Sequence, residues 1–89
     1  MERTRSGEMA SVQIGRMGIL DVSTGDFGLS DGQVFNVKNE DSDAVWLEVN
    51  LAGMAAGEFV ETRFDVGWNP EIVRVVRQNG GVYGLKYGY

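Results

Sequence analysis

The sequence predicts an all-β fold, a single small antiparallel β-sandwich or barrel of about six strands with a C-terminal β-hairpin. The chain contains 13 glycines and one proline, and glycine favours tight turns over helix interiors. Short apolar runs show the period of two that is typical of strands. Polar turn residues separate these runs at short intervals.

The chain has the length of one domain. It contains 89 residues, and domains rarely have fewer than about 50 residues, so two would not fit. Residues 1–11 are polar and aperiodic, and they are predicted to form a flexible N-terminal tail. Residues 12–89 are predicted to form the single all-β domain.

The first predicted strand runs from Val12 to Leu20, and its apolar residues change phase near Gly15. A glycine bulge in the strand would explain that change. The next segment, Asp21–Gly32, consists almost entirely of turn-forming residues. Phe27 and Leu29 are expected to hold it against the core.

Two strands are predicted around an acidic turn. Gln33–Lys38 and Ala44–Leu51 flank the polar segment Asn39–Asp43, and we expect them to pair as an antiparallel hairpin. The second strand has the clearest alternation in the chain. Its core-facing residues are predicted to be Val45, Leu47, Val49 and Leu51, and its other face carries Trp46, Glu48 and Asn50.

A bend of small residues at 52–57 leads to a predicted strand over Glu58–Val66. Val60, Phe64 and Val66 would share one face of this strand. Glu61 and Arg63 would lie on the opposite face.

The rest of the chain is organised around Gly67–Val76, which contains the only proline. Asn69 and Pro70 could begin a helix, but the run that follows is rich in β-branched residues, which favour strands. We therefore favour a strand over Ile72–Arg77, with Arg74 and Arg77 on opposite faces, and leave the helix as the alternative.

Val82–Tyr89 is predicted to pair back on this strand across Asn79-Gly80, a strong hairpin signal. Trp68 would anchor the start of the hairpin in the core, and Pro70 would shape it.

Composition argues against catalysis. The chain has no cysteine and no histidine, which removes the usual thiol nucleophile, general base and metal ligands. The acidic turn at 39–43 lacks the ligand spacing of a calcium loop. Glu61 and Asp65 would be about 13 Å apart along a strand, too far for the usual pair of glycosidase carboxylates. We predict no enzyme activity, no catalytic residues, no cofactor and no metal site.

Charge and hydropathy also exclude some partners. Eight basic and 13 acidic residues give a net charge of −5, which disfavours binding to nucleic acid. No apolar run approaches the roughly 20 residues of a membrane span. No apolar segment follows the N-terminal charges, so we expect synthesis in the cytoplasm without a signal peptide.

Exposed aromatic residues are the best candidates for an interface, because large amphipathic rings are enriched at binding surfaces. Trp46 lies opposite the predicted core face of its strand, and three tyrosines occur near the C-terminus. A small core without disulfides can gain stability by association, so we expect a homo-oligomer. The candidate interface residues are Trp46, Tyr83, Tyr87 and Tyr89.

The segments Gly67–Val76 and Leu85–Tyr89 together resemble small structural proteins of bacteriophages and prophages. In those proteins a Gly-Trp-x-Pro segment introduces a last β-hairpin that ends in an aromatic-Gly-Tyr tail, as in Gly-Trp-Asn-Pro and Tyr-Gly-Tyr here. The resemblance implies a self-associating structural protein of a virion. The alternative is a β-sandwich that binds a glycan or a peptide on its aromatic face.

Overall fold

The computed structural model describes residues 15–89. The predicted tail, residues 1–11, and the start of the first predicted strand, residues 12–14, lie outside the described residues. A 3₁₀ turn, Ser30–Gly32, interrupts the strands. The eight strands are β1 Met17–Ile19, β2 Phe27–Gly28, β3 Asn36–Asn39, β4 Val45–Leu51, β5 Val60–Phe64, β6 Gly67–Trp68, β7 Val73–Val76 and β8 Leu85–Gly88.

The strands form two four-stranded sheets, which pack together as a small antiparallel β-sandwich. Sheet I has the order β1-β8-β3-β6, and sheet II has the order β2-β7-β4-β5. The predicted all-β sandwich is therefore confirmed. The number of strands exceeds the expected six because β2 and β6, of two residues each, have no periodicity that a sequence could reveal. No helix within residues 15–89 is long and apolar enough to cross a membrane.

The core lies between the sheets and draws on both. The alternation predicted for β4 is observed from Val45 to Val49, where the inward residues are buried and Trp46 and Glu48 are exposed. Beyond it the prediction fails, because Asn50 is buried and Leu51 only partly so. Phe27 and Leu29 pack against the core, as expected. The buried apolar residues are Leu20, Val22, Phe35, Val37, Val45, Leu47, Val49, Phe64, Val73, Val76 and Leu85.

The hairpin predicted around the acidic turn does not form. β3 pairs with β8 and β6 in sheet I, whereas β4 pairs with β5 and β7 in sheet II. The turn instead carries the chain from one sheet to the other. Asn39 holds this crossover, because its Nδ2 donates to the carbonyls of Asp43, at 2.9 Å, and Phe64, at 3.0 Å.

The predicted C-terminal hairpin does not form either, because β7 belongs to sheet II and β8 to sheet I. A type I′ hairpin turn needs positive φ at both central residues, but in the Asn79-Gly80 pair only Gly80 has one, at 77°. Both residues donate their backbone N–H groups to the Val22 carbonyl, at 3.2 and 3.3 Å. Asn79 Oδ1 accepts the N–H of Gly81 at 2.8 Å. The turn is therefore docked on the preceding loop, and the chain changes sheet.

The run after Pro70 is a strand, β7, as favoured from its β-branched residues. Its two arginines, however, lie on the same face of sheet II. Leu51 pairs with Val73 and Asn50 with Val75, so Arg74 is the extra residue of a β-bulge. The bulge shifts the alternation by one residue and brings Arg74 and Arg77 to the outer side.

Trp68 does not anchor the closing segment in the core. It is half-buried on sheet I, with Lys38 Nζ 5.9 Å from its ring centroid. Pro70 is exposed. The buried residue of this segment is Asn69, which is 4% exposed. Its short amide side chain can form hydrogen bonds to the surrounding backbone, which the larger indole could not. Asn69 Nδ2 donates to the carbonyls of Asp65 and Gly67, at 2.9 and 3.1 Å.

Candidate functional site: the outer face of sheet II

The outer face of sheet II carries an exposed tryptophan near the start of its interior strand β4. Trp46 is 56% exposed, and it lies on β4 between the buried residues Val45 and Leu47. β4 is itself flanked by β5 and β7. A rigid central strand therefore presents the indole to solvent, as was predicted from the alternation of β4.

Charged residues of the neighbouring strands surround Trp46. Across the β4–β5 pair, Trp46 stands opposite Arg63, and Glu48 stands opposite Glu61. From the other side, Arg77 Nη1 lies 2.8 Å from Glu48 Oε1. We call these five residues the outer-face cluster.

Each of the two arginines of the cluster has a further contact. The Arg77 guanidinium lies 4.0 Å from the centroid of the Phe59 ring, which is a cation–π distance. Arg63 Nε lies 2.9 Å from Asp65 Oδ1, and both side chains are largely exposed. Exposed ion pairs contribute little to stability, so these charges are available to a partner at small cost to the fold.

A shallow groove of about 180 Å³ runs beside Trp46. This is smaller than the roughly 300–1,000 Å³ of sites for drug-sized ligands, and it suits one side chain or one sugar ring. Within the part of the chain that the structure describes, no group of three acidic or other ligating residues could hold a metal ion. The groove is lined by Trp46, Leu47, Glu48, Glu61, Arg77, Gln78 and Asn79.

The buried Asn50 supports one end of this face. Its Nδ2 donates to the carbonyls of Ala55 and Glu58, both at 2.8 Å. Its Oδ1 accepts from Arg74 Nη1 at 3.0 Å. These bonds close the small-residue bend over the end of the sheet. The alternation of β4 predicts a solvent-facing Asn50, so this buried role is not evident from the sequence.

The predicted tyrosines do not join Trp46. Tyr83 and Tyr87 are partly buried and pack against the core beside the buried Leu85. Tyr89 is 37% exposed and stacks on Tyr87, with ring centroids 6.3 Å apart. The structure therefore separates the four candidate interface residues, with Trp46 on the outer side of sheet II, Tyr83 and Tyr87 against the core, and Tyr89 exposed beside Tyr87.

Comparison of the chain with protein-family models, with curated proteins and with solved structures finds no match.

Proposed function

We propose that this protein is a non-enzymatic structural module that works by making protein–protein contacts through the outer face of sheet II. The observation that carries the proposal is Trp46, an exposed indole on a rigid central strand. Tryptophan is among the residues that contribute most to binding when a partner covers them. The resemblance of Gly67–Val76 and Leu85–Tyr89 to phage structural proteins supports a role as a component of a phage or prophage particle.

The charges around Trp46 suit such an interface. An apolar centre within a polar rim is the usual arrangement of a binding surface. Here both signs are present, on Glu48 and Glu61 and on Arg63 and Arg77. A partner with the complementary arrangement would be oriented by these charges, while the indole would supply the buried area.

Replacement of Trp46 tests the proposal. We expect the wild-type chain to form an oligomer at micromolar concentration, and Trp46→Ala to weaken its association by at least about tenfold, as loss of a hot-spot side chain does. Size-exclusion chromatography with light scattering measures both. Because Trp46 is largely exposed, its removal should change the free energy of unfolding by only about 0.5 kcal/mol.

Val82→Ala is the matched control, since Val82 is apolar and 89% exposed but lies outside the strands. It should leave the association unchanged. A wild-type chain that stays monomeric throughout the micromolar range, or an oligomer that is indifferent to Trp46→Ala, would contradict the proposed interface.

A second candidate function is the binding of a glycan or a peptide in the groove beside Trp46. The observation that favours it is the combination of an indole with the carboxylates of Glu48 and Glu61 and the amides of Gln78 and Asn79. Aromatic faces stack on sugar rings, and the polar groups could bond hydroxyls or a basic side chain.

Fluorescence titration tests this alternative. The chain has two tryptophans, so Trp68→Phe leaves Trp46 as the reporter. A saturable change in its emission with one member of a panel of oligosaccharides and short basic peptides would support the alternative. Unchanged emission across the panel would rule against it.

A further inference from the structure

Among the strands that the structure describes, β5 is the longest at the border of either sheet. It has 5 residues, whereas the other border strands, β1, β2 and β6, have 3, 2 and 2. β4 pairs with one side of β5, and no strand within residues 15–89 pairs with the other. An unpaired edge of this length can add a strand from another molecule.

The backbone groups that face this free edge belong to Glu61 and Arg63. The N–H of Arg77, the residue after β7, donates to the Glu48 carbonyl at 2.8 Å. The peptide groups of Glu48 therefore face β7. Successive residues of an antiparallel strand face opposite sides, so those of Leu47 face β5, where its partner is Thr62. The groups of Thr62 therefore face β4, and those of its two neighbours point outward.

Only one antiparallel register of two β5 strands brings opposite charges together. If Glu61 met Glu61 of a second copy, or Arg63 met Arg63, like charges would stand directly opposite, which is destabilising. If the two strands are centred on Thr62, each Glu61 faces an Arg63. In that register the two pairs can exchange about four backbone hydrogen bonds, and Val60 faces Phe64 on the inner side.

We propose that β5 of one molecule pairs with β5 of a second copy about a two-fold axis at Thr62. The inference rests on the proposed function and names the partner as another copy of this chain. Charged side chains on an edge strand usually prevent pairing with another strand. In Glu61-Thr62-Arg63, however, the charges disfavour the registers that oppose like charges and favour the one register that opposes Glu61 and Arg63. Pairing also places the second copy's arginine beside Glu61, whose neighbour within the sheet is the like-charged Glu48.

Charge reversal tests this register. Glu61→Arg gives a chain with two arginines on the edge, and Arg63→Glu gives a chain with two glutamates. Each variant alone should dimerise at least about tenfold more weakly than wild type, because two attractive cross-strand pairs become repulsive. An equimolar mixture of the two should form a heterodimer, since every pair is again of opposite sign. Sedimentation velocity with one variant fluorescently labelled measures the two single variants and their mixture.

A disulfide can trap the same contact even where association is weak. The chain has no cysteine, so Thr62→Cys introduces a single thiol. Across the axis, residue 62 forms a non-hydrogen-bonded pair with a Cα–Cα distance of about 4.5 Å, within the roughly 4.4–6.8 Å of disulfides. Thr62→Cys should therefore crosslink rapidly under mild oxidation. Ser42→Cys, on the exposed loop that connects sheet I to sheet II, should not.

The outcomes separate this inference from the proposed function. Rescue by the mixture together with selective crosslinking at residue 62 supports the β5 contact. If wild type associates and depends on Trp46, but Thr62→Cys crosslinks no faster than Ser42→Cys and mixing the reversed variants restores no association, the β5 contact is wrong and the Trp46 interface stands. If association responds to the reversals but not to Trp46→Ala, the β5 contact stands and the Trp46 interface fails. If the wild type does not associate and the Thr62→Cys variant does not crosslink, both the β5 contact and the Trp46 interface are wrong.

Discussion

At the scale of single residues, buried asparagines stabilise the places where the chain changes direction. Asn39, Asn50 and Asn69 are the buried polar residues among those described. Each donates its amide to at least two backbone carbonyls of a turn or strand end. These bonds give partners to the buried amides themselves, which would be costly to leave unpaired. A sequence marks asparagine as a turn residue but does not say which one is buried.

Asn39→Ala should therefore lower the free energy of unfolding by about 3 kcal/mol, since it removes three hydrogen bonds, of which the one to the Phe64 carbonyl is buried. Asn79→Ala is the control, because Asn79 also makes two side-chain hydrogen bonds but is exposed. Its loss should cost about 1 kcal/mol or less. Urea unfolding followed by circular dichroism measures both. Equal losses would contradict the role assigned to burial.

At the scale of the strands, periodicity predicted which residues alternate but not which strands pair. The alternation in β4 and β5 correctly placed Trp46, Glu61 and Arg63 on the solvent side. The two predicted hairpins failed because Asn39 and Val22 bind the turn segments and direct the chain into the opposite sheet. Those contacts join residues that are far apart in the sequence, so no local turn signal could reveal them.

The outward residues of sheet I give a prediction about pH. Lys38 and Lys86 stand opposite each other on β3 and β8, and Glu40 lies between them, 3.2 and 3.0 Å from their Nζ atoms. The hydrogen bonds from Lys86 and then from Lys38 hold the pKa of the Glu40 carboxyl below its ordinary value. A carboxylate whose pKa falls on folding stabilises the fold above its unfolded-state pKa, and this stabilisation is lost as the pH falls.

Glu40→Gln should therefore lower the melting temperature at neutral pH, where the carboxylate separates two positive charges. The difference between the variant and wild type should shrink as the pH falls below about 4.5, the ordinary glutamate value. It should also shrink in high salt, because the groups are partly exposed and salt screens them. Calorimetry across this pH range tests the assignment, and a difference that does not change with pH would refute it.

At the scale of the whole molecule, aromatic packing joins the two sheets. Tyr87 of sheet I lies with its ring centroid 5.3 Å from that of Phe27 in sheet II. It also meets Phe35 at 6.0 Å in an edge-on geometry. Its ring covers Gly18, where a Cβ atom would lie 2.5 Å from it. Periodicity alone cannot say which face of β8 is the core. The strand pairing shows it, because Tyr87 stands opposite Val37, which is fully buried.

The two last tyrosines should therefore differ in their effect on stability. Tyr87→Ala removes a partly buried ring that contacts both sheets, and we expect it to lower the free energy of unfolding by about 3 kcal/mol, the lower end of the range for truncated core aromatics. Tyr89→Ala removes the exposed ring stacked on it and should cost about 1 kcal/mol or less. Thermal and urea unfolding compare the two variants, and light scattering of the same samples separates folding from association. Disruption of an oligomer by Tyr89→Ala, together with little effect of Tyr87→Ala on unfolding, would contradict this assignment. The C-terminal tyrosines would then belong to an interface and not to the core.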